Sequence, residues 1–117
     1  MKKIKDIAAA LLQFEEAANM HADATEHGDY KTANKCYANI AKVISLLKEQ
    51  DEMQKLSELL NHNSIGVRIW AATYLLPVLE DEGLRVLKQI AGGTGIHSLT
   101  AKTTVSEWEK GNLKFFV

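Results

Sequence analysis

Proline is almost absent from this chain: Pro77 is the only one in 117 residues. Proline removes a backbone donor and clashes with the preceding turn, so its scarcity leaves long stretches free to be helical. Cysteine is as scarce. Cys36 stands alone, which excludes an intrachain disulfide and a cysteine-based zinc cluster and fits a reducing compartment. No apolar run approaches the roughly 20 residues that a membrane span requires. Neither sign of charge is in excess, since 14 Lys+Arg face 15 Asp+Glu. The balance therefore points to neither nucleic acid nor anionic lipid, both of which need a basic face. Met1-Lys2-Lys3-Ile4-Lys5 has the charge of a secretory leader. Asp6 interrupts it, however, and Glu15-Glu16 close the 8–14 stretch before an apolar segment of useful length develops. The expected location is the cytoplasm.

What is present is helical periodicity. At 46% apolar and 25% charged residues, the composition is that of an ordinary globular protein, and the length suits a single domain. Ile4, Ile7, Leu11, Phe14 and Ala18 recur in steps of three and four, predicting a first helix over 4–27 whose stripe turns polar at His21 and Thr25. Gly28 stops it and Asp29 caps the next, which carries Tyr30, Ala33, Tyr37, Ile40, Ile44 and Leu47. So tight a turn makes the two a helical hairpin. Asp51 with Gln54 resembles a capping box for a third helix bearing Met53, Leu56, Leu59 and Leu60. Ser64 caps a fourth with Val67, Ala71, Tyr74 and Leu75, which Pro77 ends. Asp81 is the expected cap of a fifth, with Leu84, Leu87 and Ile90, stopped by Gly92-Gly93. A sixth runs from Ile96 or His97 to Lys110, with Ala101, Val105 and Trp108 on one face and Gly111 as its stop. The reading is an all-α fold of about six helices: a hairpin over 1–50, two helix pairs over 51–111, and an apolar tail over 112–117.

The second half matches itself at an offset of 30 residues. Leu56, Leu60, Ala71 and Leu75 superpose on Val86, Ile90, Ala101 and Val105, as in a helix–turn–helix unit that must stack on its copy to bury its face. Leu59-Leu60-Asn61-His62-Asn63, Val67-Arg68, Ala71-Ala72 and Leu75-Leu76 resemble a HEAT repeat. His97-Ser98 stand where the second copy would have Val-Arg, and the period is shorter than the roughly 40–47 residues of HEAT units. More specifically, Gly28-Asp29-Tyr30, Ala33-Asn34-Lys35, the run Val67-Arg68-Ile69-Trp70-Ala71-Ala72-Thr73-Tyr74-Leu75-Leu76, Ala101-Lys102, Glu107-Trp108 and Gly111 are similar to the bacterial family catalogued as "domain of unknown function 2019". That resemblance implies a HEAT-like helical superhelix in a bacterial cytoplasm and carries no reaction with it.

No constellation speaks for catalysis or a cofactor. His21, His27, His62 and His97 are scattered and make no HExxH or Glu-x-x-His pair, so no metal site is expected. His27 is placed to meet the negative end of its own helix. Cys36 has no basic neighbour in sequence that would activate it. Gly92-Gly93-Thr94-Gly95 lacks the strand and the Lys-Ser/Thr ending of a phosphate loop and reads as a helix stop. Glu15-Glu16 and Asp81-Glu82 diverge on a helix, and an enzyme is disfavoured. The aromatic and cationic residues of the second half remain. Arg68, Trp70, Tyr74, Lys102 and Trp108 are the candidates for partner binding: Trp, Tyr and Arg are the residue types that most often dominate interface energies, and stacked repeats would gather the set on one face. Core packing is the plainer reading of Tyr74 and Trp108. The expected function is a non-catalytic protein-binding module, one form of which is a toxin-neutralising immunity protein or another inhibitor or adaptor. The competing expectation is a small-molecule or catalytic site in a groove between helix pairs, with His21 or Tyr37 as polar handles.

Overall fold

The computed structural model describes residues 6–113 and is all-helical over them. It has α1 (Ile7–Glu26), α2 (Tyr30–Glu49), a 3-10 helix (Met53–Leu59), α3 (Ile65–Leu75), α4 (Glu80–Ala91) and α5 (Ile96–Glu109). None of these helices is long and apolar enough to cross a membrane. Ile4 and residues 114–117 lie outside the described residues, so most of the apolar tail does too; Leu113 packs half-buried on the core.

Side-chain caps open three of the helices. The Asp6 carboxylate accepts from the Ala9 N–H, that of Asp29 from the Thr32 N–H, and the Ser64 hydroxyl oxygen from the Val67 N–H, each satisfying an amide that the helix itself cannot. The α4 start differs from expectation. Asp81 is not its cap: the helix begins at Glu80, and Glu80, Asp81 and Glu82 all lie in its first turn. There they complement the positive end of the helix dipole without a side-chain capping hydrogen bond. Three helices end on one device. After α1, Gly28 has φ +71° while the Asp29 N–H donates to the Ala24 carbonyl and that of Gly28 to Thr25; Gly111 repeats this after α5 with φ +77°. Asp51 does it after α2, with φ +58° and the Glu52 N–H on the Leu47 carbonyl. This is the Schellman pattern. The expected capping box at Asp51 and Gln54 is therefore corrected: Asp51 is the left-handed residue that ends one helix. Aspartate tolerates that conformation better than most side chains. The segment that follows is a 3-10 helix of seven residues with no side-chain cap.

One core runs through the molecule, from Phe14 of α1 through Ile40, Ile44 and Leu47 of α2 to Leu56, Leu75, Leu76 and Leu87. All eight residues paired by the 30-residue offset are buried. Tyr30 and Tyr37 do not belong to the buried stripe of α2; they are 76% and 51% exposed, and Cys36 and Val43 are buried in that stripe. The stripe centres on Ile40, which leaves Tyr37 on its flank.

Two glycines set how closely the layers approach. A Cβ on Gly66 would stand 2.6 Å from the Ala22 Cβ and 2.7 Å from the Ala18 carbonyl oxygen, so α3 crosses α1 almost backbone to backbone. A Cβ on Gly83 would meet the Ala72 carbonyl oxygen at 2.7 Å, bringing α4 equally close to α3. Helix α3 is thus the central element, packed on α1, the 3-10 helix, α4 and α5.

Candidate functional site

The α1–α3 crossing has an opening beside it. Because Gly66 and Ala22 are small, α1 and α3 touch there without filling the space toward α5, and a groove of about 260 Å³ remains. His21 and Thr25 line it from α1, Ile69, Trp70 and Thr73 from α3, and His97, Thr100 and Thr104 from α5. Trp70 is the hub. Its ring stacks on Tyr74 at 5.8 Å between centroids and 17° between planes. The His21 ring meets it edge to face at 5.1 Å, and Tyr37 leans on it at 5.9 Å. Aromatic pairs at such separations hold one another in place beyond their burial alone.

Three of the four threonines of the groove are committed in a consistent sense. Thr73 donates its hydroxyl to the Ile69 carbonyl, Thr100 to Ile96 and Thr104 to Thr100, at 2.7, 3.0 and 2.9 Å. Their hydrogens thus point into the helices and their oxygens keep free lone pairs. The His97 Nε2 lies 2.7 Å from Glu26 Oε2. A carboxylate only accepts, so Nε2 carries the proton, and Nδ1 of the neutral ring is an acceptor. Burial, with a smaller contribution from nearby His97, holds the His21 pKa below its ordinary value and favours the neutral ring. Burial also pushes Tyr74 up to about 12, helped by Tyr37, so its phenol stays protonated.

The residues singled out in the sequence do not form one face. Trp70 and Tyr74 belong together, as one-turn spacing predicts. Arg68 is turned away from them: its Nη1 donates to the carbonyls of His62 and Asn63 at 2.7 and 3.2 Å, tying the turn before α3 to the helix. Lys102 faces a shallow depression between α4 and α5 with Lys88, Val105 and Glu109. Trp108 donates its indole N–H to Glu80 Oε2 at 2.7 Å, joining α5 to the start of α4. Of the two polar handles, His21 lines the groove, whereas Tyr37 touches Trp70 from outside the lining. Cys36 is buried and its thiol pKa is raised, chiefly by that burial. His27 Nδ1 donates to the Asp23 carbonyl at 2.8 Å, which raises its pKa as a helix-end histidine should.

The fold has a solved counterpart. The chain is similar to the crystal structure of the protein RPA1889 from Rhodopseudomonas palustris CGA009, with a TM-score of 0.88 over 97% of this chain and 96% of that one. At 18% identity the likeness shows the fold alone. No family model matches the chain, and no curated protein matches it.

A broader depression of about 800 Å³ lies along α1 beside the turn at residues 62–64. It is open surface, and four of its polar residues, Glu15, Asn19, His62 and Ser64, are already tied to one another. The Ser64 N–H donates to His62 Nδ1 at 2.9 Å, so His62 Nε2 bears the proton and donates to Glu15 Oε1 at 3.1 Å; the Ser64 hydroxyl donates to the Asn19 side-chain oxygen at 2.8 Å. The smaller groove is the better site because its histidines and hydroxyl oxygens keep unused capacity. Sequence reasoning missed Gly66, His97 and the threonines. Gly66 was hidden inside a helical pattern, and His97 is 71 positions from its Glu26 partner.

Proposed function

We propose that this chain is a non-catalytic binding module, and that the groove between α1, α3 and α5 is where it grips a partner protein. The observation that supports this most is the groove itself: an aromatic hub held by three other rings, beside a cavity of about 260 Å³. Cavities that bury a small ligand run to roughly 300–1,000 Å³. This one is smaller and open along one side, which suits one inserted side chain. Interfaces concentrate their energy at such anchors. The repeat-like pairing of the second half and the resemblance to a HEAT-like bacterial family agree with a recognition role. A catalytic reading draws less support. Among the described residues, no threonine hydroxyl of the groove hydrogen-bonds to His21 or His97, so no nucleophile is paired with a base there.

A displayed-peptide selection tests the reading. Peptides would be enriched on the wild-type chain and counter-selected on Thr100→Trp, which fills the groove from an exposed position of α5 and whose helicity is checked by circular dichroism. Peptides that need the open groove are the expected outcome. Enriched peptides that bind both forms equally would sink the proposal.

A further inference from the structure

Resting on the reading of the groove as a protein-binding site, we infer that its occupant is an arginine side chain of the partner, recognised as a planar cation rich in donors. The argument is one of complementarity. Three threonine hydroxyls spend their hydrogens on their own helices and leave oxygen lone pairs. The Glu26 carboxylate fixes one His97 proton on Nε2, and the pair carries no net positive charge in either protonation state of the ring; in the neutral form its Nδ1 is a further acceptor. Neutral His21 adds no charge either. Apart from the one N–H of His21 and the Thr25 hydroxyl, the groove thus offers acceptors.

The surrounding charge points the same way. Helix α1 contains Glu15, Glu16, Asp23 and Glu26 and neither lysine nor arginine. Helix α3 has one cation, Arg68, and it is held by carbonyls of the preceding turn. An entering cation would therefore meet Glu26 at the α1 end, through its bridge to His97, and no competing lysine or arginine of α1 or α3. Trp70 selects among cations. A guanidinium is planar, weakly hydrated and stacks on aromatic faces while donating along its edge, whereas an ammonium is a compact, strongly hydrated point charge. The aliphatic stem of arginine would lie against Ile69 and the threonine methyls.

The test uses the full chain and three capped tripeptides, Gly-Arg-Gly, Gly-Lys-Gly and Gly-citrulline-Gly, the last a neutral isostere of arginine. Binding is followed by NMR on the Trp70 indole N–H, told apart from that of Trp108 with Trp108→Phe, and on the His21 and His97 rings. The arginine peptide is expected to shift the Trp70 and His21 signals saturably. The citrulline peptide should bind about tenfold more weakly and Glu26→Gln should weaken arginine about threefold, each by losing one charged contact, while the lysine peptide should fall between because it keeps the charge and loses the planar donors. Thr100→Trp should abolish the shifts. Equal binding of citrulline and arginine would overturn charge recognition, and tighter binding of lysine would overturn the guanidinium. Shifts that survive in Thr100→Trp, or no shift with any peptide, would overturn the inference outright. The displayed-peptide selection is read separately: groove-dependent peptides lacking arginine would end this inference and leave the binding module standing.

Discussion

Two histidine–glutamate bridges tie α1 to the rest of the molecule, and they are built for different ends. Glu15 meets His62 in the turn before α3, and Glu26 meets His97 at the start of α5. In the first bridge both ring nitrogens are used, Nδ1 by the Ser64 amide and Nε2 by Glu15, and Arg68 closes the same turn from the other side. In the second, Glu26 takes one nitrogen, and no other hydrogen bond to the His97 ring occurs among the described residues. A satisfied polar group stabilises and specifies; one with spare capacity beside a cavity is available for recognition. The difference between structural lock and candidate site thus lies in the saturation of the same residue pair.

The largest expected effect breaks both bridges together. Gly66 lies between them on α3, and a Cβ there stands 2.6 Å from that of Ala22 and 2.7 Å from the Ala18 carbonyl oxygen. Gly66→Ala gains up to about 1 kcal/mol of helix propensity, but backbone cannot yield as a flexible side chain does, so α3 must move off α1. A net loss of about 2 kcal/mol is expected, lowering Tm by roughly 10 °C. Urea unfolding measures it. A variant more stable than the wild type would mean that this crossing does not depend on the glycine.

Next come the bridges themselves. His62→Ala orphans the Ser64 amide and removes the donor to Glu15, a loss of about 1–2 kcal/mol. His97→Ala breaks a pair whose glutamate is half exposed, and solvent screening limits that to about 0.5 kcal/mol. The binding effects should run in the opposite order, with groove-dependent peptides lost in His97→Ala and kept in His62→Ala. Equal stability losses would erase the distinction between lock and site. Arg68→Met sharpens it further: losing two hydrogen bonds to carbonyls of the turn lowers stability by about 1 kcal/mol and leaves peptide binding unchanged, whereas Trp70→Leu removes binding.

What could be read from the sequence and what could not divide along physical lines. Helix number, the caps at Asp29 and Ser64 and the stops at Gly28 and Gly111 were legible because capping and glycine termination are local. The Trp70–Tyr74 stack was legible as one-turn spacing. Asp51 misled because aspartate serves both helix starts and left-handed turns, and the following backbone decides which. Asp81 misled because a first-turn acid and a cap look alike in sequence. The groove was illegible because it is made by an absence: a glycine and an alanine on different helices that permit close approach. The expected grouping of Arg68 with Trp70 failed because residues two apart on a helix point to opposite sides, and the turn carbonyls are near enough to claim the guanidinium.

The smallest effect concerns protons, and its sign separates the groove histidine from the exposed one. His21 has a lowered pKa, so the unfolded chain, titrating near 6.5, binds its proton more readily than the folded one. Stability from this group is full above the unfolded value and is lost as pH falls through the folded value. His27 has a raised pKa and works in reverse: its contribution is full below the unfolded value and is lost as pH rises through the folded one. Its exposure leaves that contribution small. Between about pH 5 and 7.5 the wild type should therefore gain stability with pH. His21→Phe, which keeps a ring against Trp70, should flatten the rise, and His27→Gln should steepen it slightly. Urea midpoints across that range decide the matter, and an unchanged slope in His21→Phe would show that the groove does not hold the imidazole neutral. His97→Ala completes the comparison. It relieves the lesser of the two causes of the His21 shift, so the His21 ring should titrate at a higher pH but remain below 6.5. Recovery of the full ordinary value would mean that the neighbouring histidine, and not burial in the groove, sets the charge of the site.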